Sequence, residues 1–373
     1  MAGKLGFGLM RLPLTDPDNS GSIDIELSKK MVDRFLEQGF TYFDTAWMYC
    51  NFKSEEAVKE ILTDRIDRDR YTLATKLHCG FISAKEDRDR IFNEQKRKTG
   101  QVYFDYYLLH DMGTDHYRKY TELDCFSWLY GKKEQGLVKH IGFSFHDSPE
   151  LLDKVLTEHP EMEFVQLQIN YLDWDNPGVR SRECYETATK HGKPVIVMEP
   201  VKGGTLANVP QEVEEMFREY DPDMSPASWA IRFAASLPNV RLVLSGMSDM
   251  KQMNDNTSFM KEFVPLTDEE NVIIRKAVDV INRNIAIPCT ACSYCTDGCP
   301  MNIAIPKYFA LYNAEKSETL DKGWSIHNEY YERLTVNFGK ASDCLACGAC
   351  EAVCPQHLDI IENLKNVSEM FER

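Results

Sequence analysis

Eight of the chain's twelve cysteines fall into two short runs after residue 285. Residues 289–300 read Cys-Thr-Ala-Cys-Ser-Tyr-Cys-Thr-Asp-Gly-Cys-Pro, and residues 344–355 read Cys-Leu-Ala-Cys-Gly-Ala-Cys-Glu-Ala-Val-Cys-Pro. Each run is C-x₂-C-x₂-C-x₃-C-P. The two-residue steps let three thiolates wrap one face of a cubane, and the proline then turns the chain so that the fourth cysteine reaches the other cluster. The expected sets are therefore Cys289, Cys292, Cys295 and Cys354 on one [4Fe–4S] cluster, and Cys344, Cys347, Cys350 and Cys299 on the second. Zinc is the rival reading, but its sites take four ligands as two pairs, and two quartets each ending in proline fit that poorly. A disulfide scaffold would be short and would spread its cysteines through the fold. Cys50, Cys79, Cys125 and Cys184 are scattered and read as buried core thiols.

A second set of chemical groups lies near the start. Asp44, Tyr49, Lys76 and His110 stand at or just after the ends of short apolar runs. Taken singly each has a bland reading: a cap, a packed ring, a solvated loop. Together they suit carbonyl reduction. A phenol titrates near 10 and is a poor acid alone, but a neighbouring ammonium lowers its pKa, and a carboxylate can hold that ammonium in place. Tyr49 would then donate the proton, Lys76 would tune it, Asp44 would orient Lys76, and His110 would position the substrate oxygen.

Positioning these groups needs a repeating scaffold. Candidate strands are Gly6–Met10, Thr41–Ala46, Tyr71–Leu77, Phe104–His110, Val138–Ser144, Phe164–Tyr171, Pro194–Pro200 and Arg241–Met247. They are short and rich in β-branched and aromatic residues. Between them lie amphipathic stretches such as Glu26–Gln38, Ser54–Leu62, Arg88–Lys98, Arg118–Glu134 and Ser148–Thr157. Eight strand–helix repeats in about 250 residues have the size and order of an α/β fold of the (β/α)₈ barrel type, with catalytic groups at the carboxyl ends of its strands. A doubly wound sheet is disfavoured because no Gly-x-Gly-x-x-Gly follows an early strand. Beyond about residue 262 the pattern changes to helical stretches around the cysteine runs, opening with Thr267-Asp-Glu-Glu, a capping sequence. We expect a barrel over 1–262 and a mainly helical dicluster domain over 263–373.

The motifs Asp-Thr-Ala-Trp-Met-Tyr (44–49), Ala-Thr-Lys (74–76) and Leu-Leu-His-Asp (108–111), with the opening Gly8-Leu-Met-Arg-Leu-Pro13, resemble those of the aldo-keto reductases over about residues 3–260. The 44 residues between Cys299 and Cys344 make the tail similar to the α-helical ferredoxin domains attached to larger redox enzymes. The whole chain resembles the ferredoxin-fused branch of predicted aldo-keto reductases. The resemblance implies a nicotinamide cofactor extended across the barrel mouth and hydride transfer to a carbonyl. It also implies cofactor contacts from Ser144, Gln166, Asn170, Gly246, Gln252 and Asn256. Phe145 replaces the family's usual Asn, and Met198 and Glu199 lie where some members carry a stacking aromatic. Gly246 and Gln252 replace cations that hold a 2′-phosphate in NADP-preferring members, so NADP preference is unsupported, with Lys251 a partial substitute.

Clusters accept electrons singly and a nicotinamide gives them in pairs, so a flavin is the usual converter, and Gly203-Gly204 with Ser245-Gly246 could seat an FMN phosphate. Trp47 and His146 are expected to line the substrate pocket. Partners expected are a small carbonyl or alcohol and a ferredoxin or flavodoxin. A net charge of 43 − 59 = −16 disfavours nucleic acid and anionic membranes. No stretch approaches the roughly 20 apolar residues of a span, and the opening does not read as a signal peptide, so a cytoplasmic location is expected. Two rivals stand beside the electron-exchanging enzyme: an ordinary nicotinamide reductase with structural clusters, and a redox-sensing or electron-carrier module without turnover.

Overall fold

The computed structural model describes residues 3–372 except 284, 290, 297, 318–324 and 355. Thr290, Asp297 and Pro355 of the cysteine motifs therefore lie outside the described residues. Eight strands, β1 (Leu5–Gly8), β2 (Tyr42–Asp44), β3 (Thr72–His78), β4 (Phe104–Met112), β5 (Val138–Phe145), β6 (Phe164–Gln168), β7 (Val195–Met198) and β8 (Val240–Gly246), pair in parallel. They close into a barrel in sequence order, so the expected (β/α)₈ architecture holds and the open sheet does not.

Side-chain alternation fixes which residues look inward. Tyr42, Ala74, Leu108, Phe164, Ile196 and Leu244 form the barrel's interior cluster. Two positions further along the same strands come Asp44, Lys76, His110, Gln166, Met198 and Gly246, which therefore face the carboxyl-end mouth. The alternate residues (Phe7, Phe43, Leu73, Leu109, Phe143, Val165, Val197 and Val243) pack outward against the helices.

The surrounding helices begin where the sequence offers caps. Asp24 accepts from the Leu27 amide at 2.9 Å. Ser148 and Ser225 each cap a helix whose first residue is proline. The expected Arg118–Glu134 helix is two, Thr114–Glu122 and Cys125–Glu134, because Asp124 between them is left-handed at φ 55°. The Arg88 guanidinium donates to the carbonyls of Leu123 and Asp124 and so satisfies the backbone at that break. The expected Ser54–Leu62 helix is α only to Val58 and widens to π over Lys59–Thr63.

Helix Asp268–Arg283 packs on Gln211–Tyr220 through Ile274, Ala277, Val280, Val213 and Phe217, in one cluster with Trp229 of helix Pro226–Ser236. Its Glu270 forms a buried ion pair with Arg232 at 2.7 Å. Residues 263–283 thus belong to the barrel's outer layer. Thr267 and Glu270 form the reciprocal capping bonds their spacing suggested, at 3.1 and 2.7 Å.

Beyond 287 a separate core forms from helices Ile305–Ser317, Ile326–Thr335 and Ile360–Phe371, around Tyr308, Phe309, Tyr331, Leu364 and Val367. Val179, from the loop after β6, is buried in this core and Gly178 lies against Leu311. Among the described residues no helix is long and apolar enough to cross a membrane.

Candidate active site at the barrel mouth

Lys76 is fully buried, and its ammonium has three partners. It donates to Asp44 Oδ1 in a short bond, to the Thr45 carbonyl at 2.8 Å and to the Tyr49 hydroxyl at 3.3 Å. Tyr49 arrives from the loop after β2, where Cys50, Asn51 and Phe52 all have φ above 50° or close to it. Cys50 secures that turn by donating from Sγ to the Leu9 and Met10 carbonyls. Burial pushes its thiol up to about 11, which makes it inert at neutral pH.

Burial works against Lys76, but Asp44 and Tyr49 outweigh it and hold the ammonium above its ordinary pKa. Tyr49 differs from the expectation drawn on its neighbours alone. Burial raises the phenol and Lys76 offsets this only in part, so the net direction is up. The resting group is a protonated phenol beside a fixed cation. His110 is held well below its ordinary value, first by burial and then by Lys76 and His78. Its ring stands edge-on to Tyr49 with centroids 5.7 Å apart, and Nδ1 has no partner among the described residues. The four groups named from sequence therefore converge. Lys76 and His110 each lie two residues inside their strand's last residue.

Sequence reasoning missed three groups beside them. Asp111, left-handed at φ 58°, follows His110. His78 Nε2 lies 3.6 Å and His116 Nδ1 3.5 Å from Asp111 Oδ2. Alternation two residues past Lys76 could have found His78. These three ligand-type groups could suggest a metal site. However, the Gly80 amide donates to His78 Nδ1 at 2.9 Å, and His116 Nδ1 is 2.6 Å from the Asp111 carbonyl. Both arrangements put the imidazole proton toward Asp111, so the histidines act there as donors.

The cofactor residues divide. Ser144 and Gln166 are paired across β5 and β6. Gln166 Oε1 is a buried acceptor without a partner among the described residues, and its Nε2 meets only Met198 Sδ at 3.5 Å. An amide so poorly satisfied fits a ligand carboxamide. Ser144 Oγ accepts from the Asp111 amide at 2.8 Å. Asn170 is engaged in its own loop: Nδ2 donates to Asp173 and the Glu199 carbonyl, and Oδ1 accepts from the Leu172 and Asp173 amides. All four hydrogen-bonding positions of the amide are used in the loop. At the far rim Arg11 lies over Gly246 and pairs loosely with Glu199 at 3.8 Å. Gln252 Oε1 accepts from the Ser248 amide, and Asn256 donates to Ser245 Oγ at 2.9 Å. The expected phosphate seat at Gly203-Gly204 is closed, because Glu199 Oε2 already accepts from the Gly203 amide at 2.7 Å. A phosphate there would meet a carboxylate, so FMN finds no seat in that loop.

Trp47 is half-buried under Lys98, whose ammonium is 4.2 Å from the ring centroid. His146 is buried against Tyr330 of the C-terminal domain, and burial pulls its pKa down to about 4.

The eight C-terminal cysteines sort into two small cavities. One is lined by Cys289, Cys292, Cys295 and Cys354, the other by Cys299, Cys344, Cys347 and Cys350, and Ile305 separates them. The two motifs share a backbone signature. Ala291 and Ser293 have φ of 56° and 65°, and the equivalent Ala346 and Gly348 have 52° and 75°. These left-handed turns bend each run around its cavity. Four thiols per cavity fit a cubane cluster, and the Ile303 amide points at Cys299 Sγ from 3.4 Å.

The aldo/keto reductase family model matches residues 4–279, and a 4Fe-4S dicluster domain model matches residues 288–358. An uncharacterized oxidoreductase of Bacillus subtilis, YqkF, is 24% identical over 268 residues, covering 63% of this chain and 83% of that protein. Among solved structures, an aldo-keto reductase from Klebsiella pneumoniae in complex with NADPH superposes with a TM-score of 0.59 at 17% identity, covering 74% of this chain and 90% of that one. The holo form of AKR11C1 from Bacillus halodurans does so at 0.57 and 24%, covering 74% and 91%. The barrel, the groups at its mouth and a family match spanning most of the sequence agree: this chain belongs to the aldo/keto reductase family and carries a C-terminal 4Fe-4S dicluster domain.

Proposed function

We propose that the mouth interconverts a carbonyl and an alcohol, and that the threefold bonding of the Lys76 ammonium to Asp44, Thr45 and Tyr49 carries this reading. In the reducing direction Tyr49 gives its proton to the carbonyl oxygen. Lys76 stabilises the phenolate left behind, and Asp44 keeps the ammonium from turning away. His110, neutral because it is buried beside Lys76, donates one N–H to the same oxygen. NAD(H) or NADP(H), when bound, would supply or accept the hydride. Gln166 and Ser144 would hold its carboxamide, with Gly246, Gln252 and Asn256 toward the adenosine end.

Cys289, Cys292, Cys295 and Cys354 hold one [4Fe–4S] cluster in this reading, and Cys299, Cys344, Cys347 and Cys350 the other. Clusters held there would exchange electrons singly with an external carrier such as a ferredoxin or flavodoxin, and pairing those electrons for a nicotinamide would need a flavin, which a flavodoxin carries. Exposed Cys292 and Cys347, flanked by exposed Tyr294 and Leu345, favour such an outlet. The reading with structural clusters draws support from the buried bonds that fasten the domain to the barrel mouth. Anaerobic mixing of the holoprotein with NADH or NADPH separates the two. Bleaching of the visible cluster absorbance during turnover supports electron exchange; unchanged absorbance with continuing turnover supports the structural role.

A further inference from the structure

The strand pairing between β4 and β5 slips between Leu109 and Met112, the stretch that carries His110 and left-handed Asp111. An irregular edge leaves carbonyls without ladder partners, and a buried site must satisfy them another way. Here His116 Nδ1 of the barrel meets the Asp111 carbonyl at 2.6 Å, and further partners come from the other domain. Arg333, on helix Ile326–Thr335, is 95% buried, with 5% side-chain exposure. Its Nη1 donates to the His146 carbonyl at 2.7 Å, just past the end of β5. Its Nη2 donates to Asp111 Oδ1 at 2.8 Å and to the Asp111 carbonyl at 3.3 Å. The guanidinium fork thus staples the ends of β4 and β5 together one residue beyond His110.

The barrel is shaped to admit it. Gly113 has no side chain, and a Cβ there would overlap the Arg333 guanidinium. The same helix also touches the cluster-binding loop. Tyr331, two residues before Arg333, accepts from the Ala341 amide at 2.8 Å, three residues ahead of Cys344. Tyr330 packs edge-on against His146 at 5.9 Å. One helical turn therefore links the second cysteine run to the backbone that carries His110.

We propose that Arg333 is a positioning residue for His110, through which the dicluster domain completes the barrel's active site. Asp111 is the hinge: Arg333 holds its carboxylate and carbonyl, Ser144 its amide, and His116 and His78 of the barrel add contacts to the carbonyl and the carboxylate. Without the guanidinium the slipped edge relaxes and His110 loses its fixed place opposite Tyr49. The inference rests on the proposed role of His110, so its test needs a readout independent of turnover.

The test uses the anaerobic holoprotein with Arg333→Met and Gly113→Ala. The second variant displaces the guanidinium by steric overlap while leaving every residue of the cluster domain in place. Iron content and visible absorbance report the clusters. ¹⁵N-imidazole NMR, with the His110 signal assigned by its absence in His110→Gln, reports the ring's environment. The expected result is full iron content, a displaced or exchange-broadened His110 signal in both variants, and kcat for reduction of 4-nitrobenzaldehyde lowered on the order of 10–100-fold with KM changed much less. Millimolar methylguanidinium should partly restore kcat in Arg333→Ala. Should Arg333→Met lose iron, Gly113→Ala alone decides. An unmoved His110 signal in an iron-replete variant overturns the inference. A moved signal in a protein whose wild type reduces no carbonyl leaves the coupling standing and removes the proposed reaction instead.

Discussion

The Lys202 ammonium meets Nε2 of His327 at 3.3 Å across the seam between the barrel and the dicluster domain. Lys202 is otherwise paired with Asp173 at 2.9 and 3.0 Å, and both are buried. His327 Nδ1 lies 3.0 Å from Glu315. The loop after β7, the loop after β6 and two helices of the second domain therefore share one charged network. With Arg333 it gives the domain two buried polar anchors on the mouth, and a rigid seat.

Removing one member of that network strands a buried charge. Lys202→Met should destabilise the protein by about 3–5 kcal/mol, while the double variant Lys202→Met, Asp173→Asn should recover much of the loss. Thermal midpoints of the iron-replete proteins check this. His327 adds a pH dependence: burial and Lys202 hold its pKa below the ordinary histidine value of 6.5. The folded state therefore binds fewer protons than the unfolded one below that pH, and stability falls as pH drops under about 6.5.

Glu55 should behave in the opposite sense. It lies beneath the Lys76 strand, accepting from Thr75 at 2.7 Å and Gln95 at 2.8 Å, and burial raises it to about 7. The folded state holds the proton longer than the unfolded one, so stability is fullest below the ordinary glutamate value and is lost as pH rises toward 7. Glu55→Gln keeps the acceptor oxygen and removes that loss. It should stabilise the protein by about 1–3 kcal/mol at pH 8 and change little at pH 4.

Tyr49 and Lys76 predict a pH profile. Because burial keeps Tyr49 above its ordinary value, carbonyl reduction should hold level through neutral pH. Lys76→Met removes the cation bonded to the phenol, so alcohol oxidation, which needs the phenolate, should shift to more alkaline pH and slow by about 10²–10⁴-fold at neutrality. Steady-state rates in both directions across pH check the sign.

Much of this site is legible in the sequence because barrel alternation is strict. Lys76 and His110 close candidate strands, which places them toward the mouth without coordinates, and the doubled cysteine spacing names two quartets. What escaped has physical causes. Arg333 is an ordinary arginine in an amphipathic helix, and its partners are 187 and 222 positions away. Asn170 matches a cofactor position by sequence, but a tight turn uses both ends of its amide. The Tyr49 shift depends on burial, which spacing does not report.

Gln166 should act on cofactor affinity. Gln166→Leu fills the same space without an amide, and loss of its hydrogen bonds should weaken NADH or NADPH binding by about 3- to 20-fold. Asn170→Ala should instead lower thermal stability with less effect on affinity. Fluorescence titration of the reduced nicotinamide distinguishes them.

The crossed cysteine sets predict an unusual iron count. Cys354 lies in the second motif but lines the first cavity. Cys354→Ala should therefore reduce iron from about eight to about four per chain and disturb the cluster of Cys289, Cys292 and Cys295. Iron analysis with electron paramagnetic resonance of the reduced protein reads which cluster is altered.

The most direct measurement of the central claim is single-turnover carbonyl reduction by anaerobic Tyr49→Phe beside the unaltered protein, with iron content matched. The variant should keep both clusters and bind nicotinamide, but reduce 4-nitrobenzaldehyde at least about 100-fold more slowly. Equal rates in the two proteins would contradict that claim and place the proton donor elsewhere.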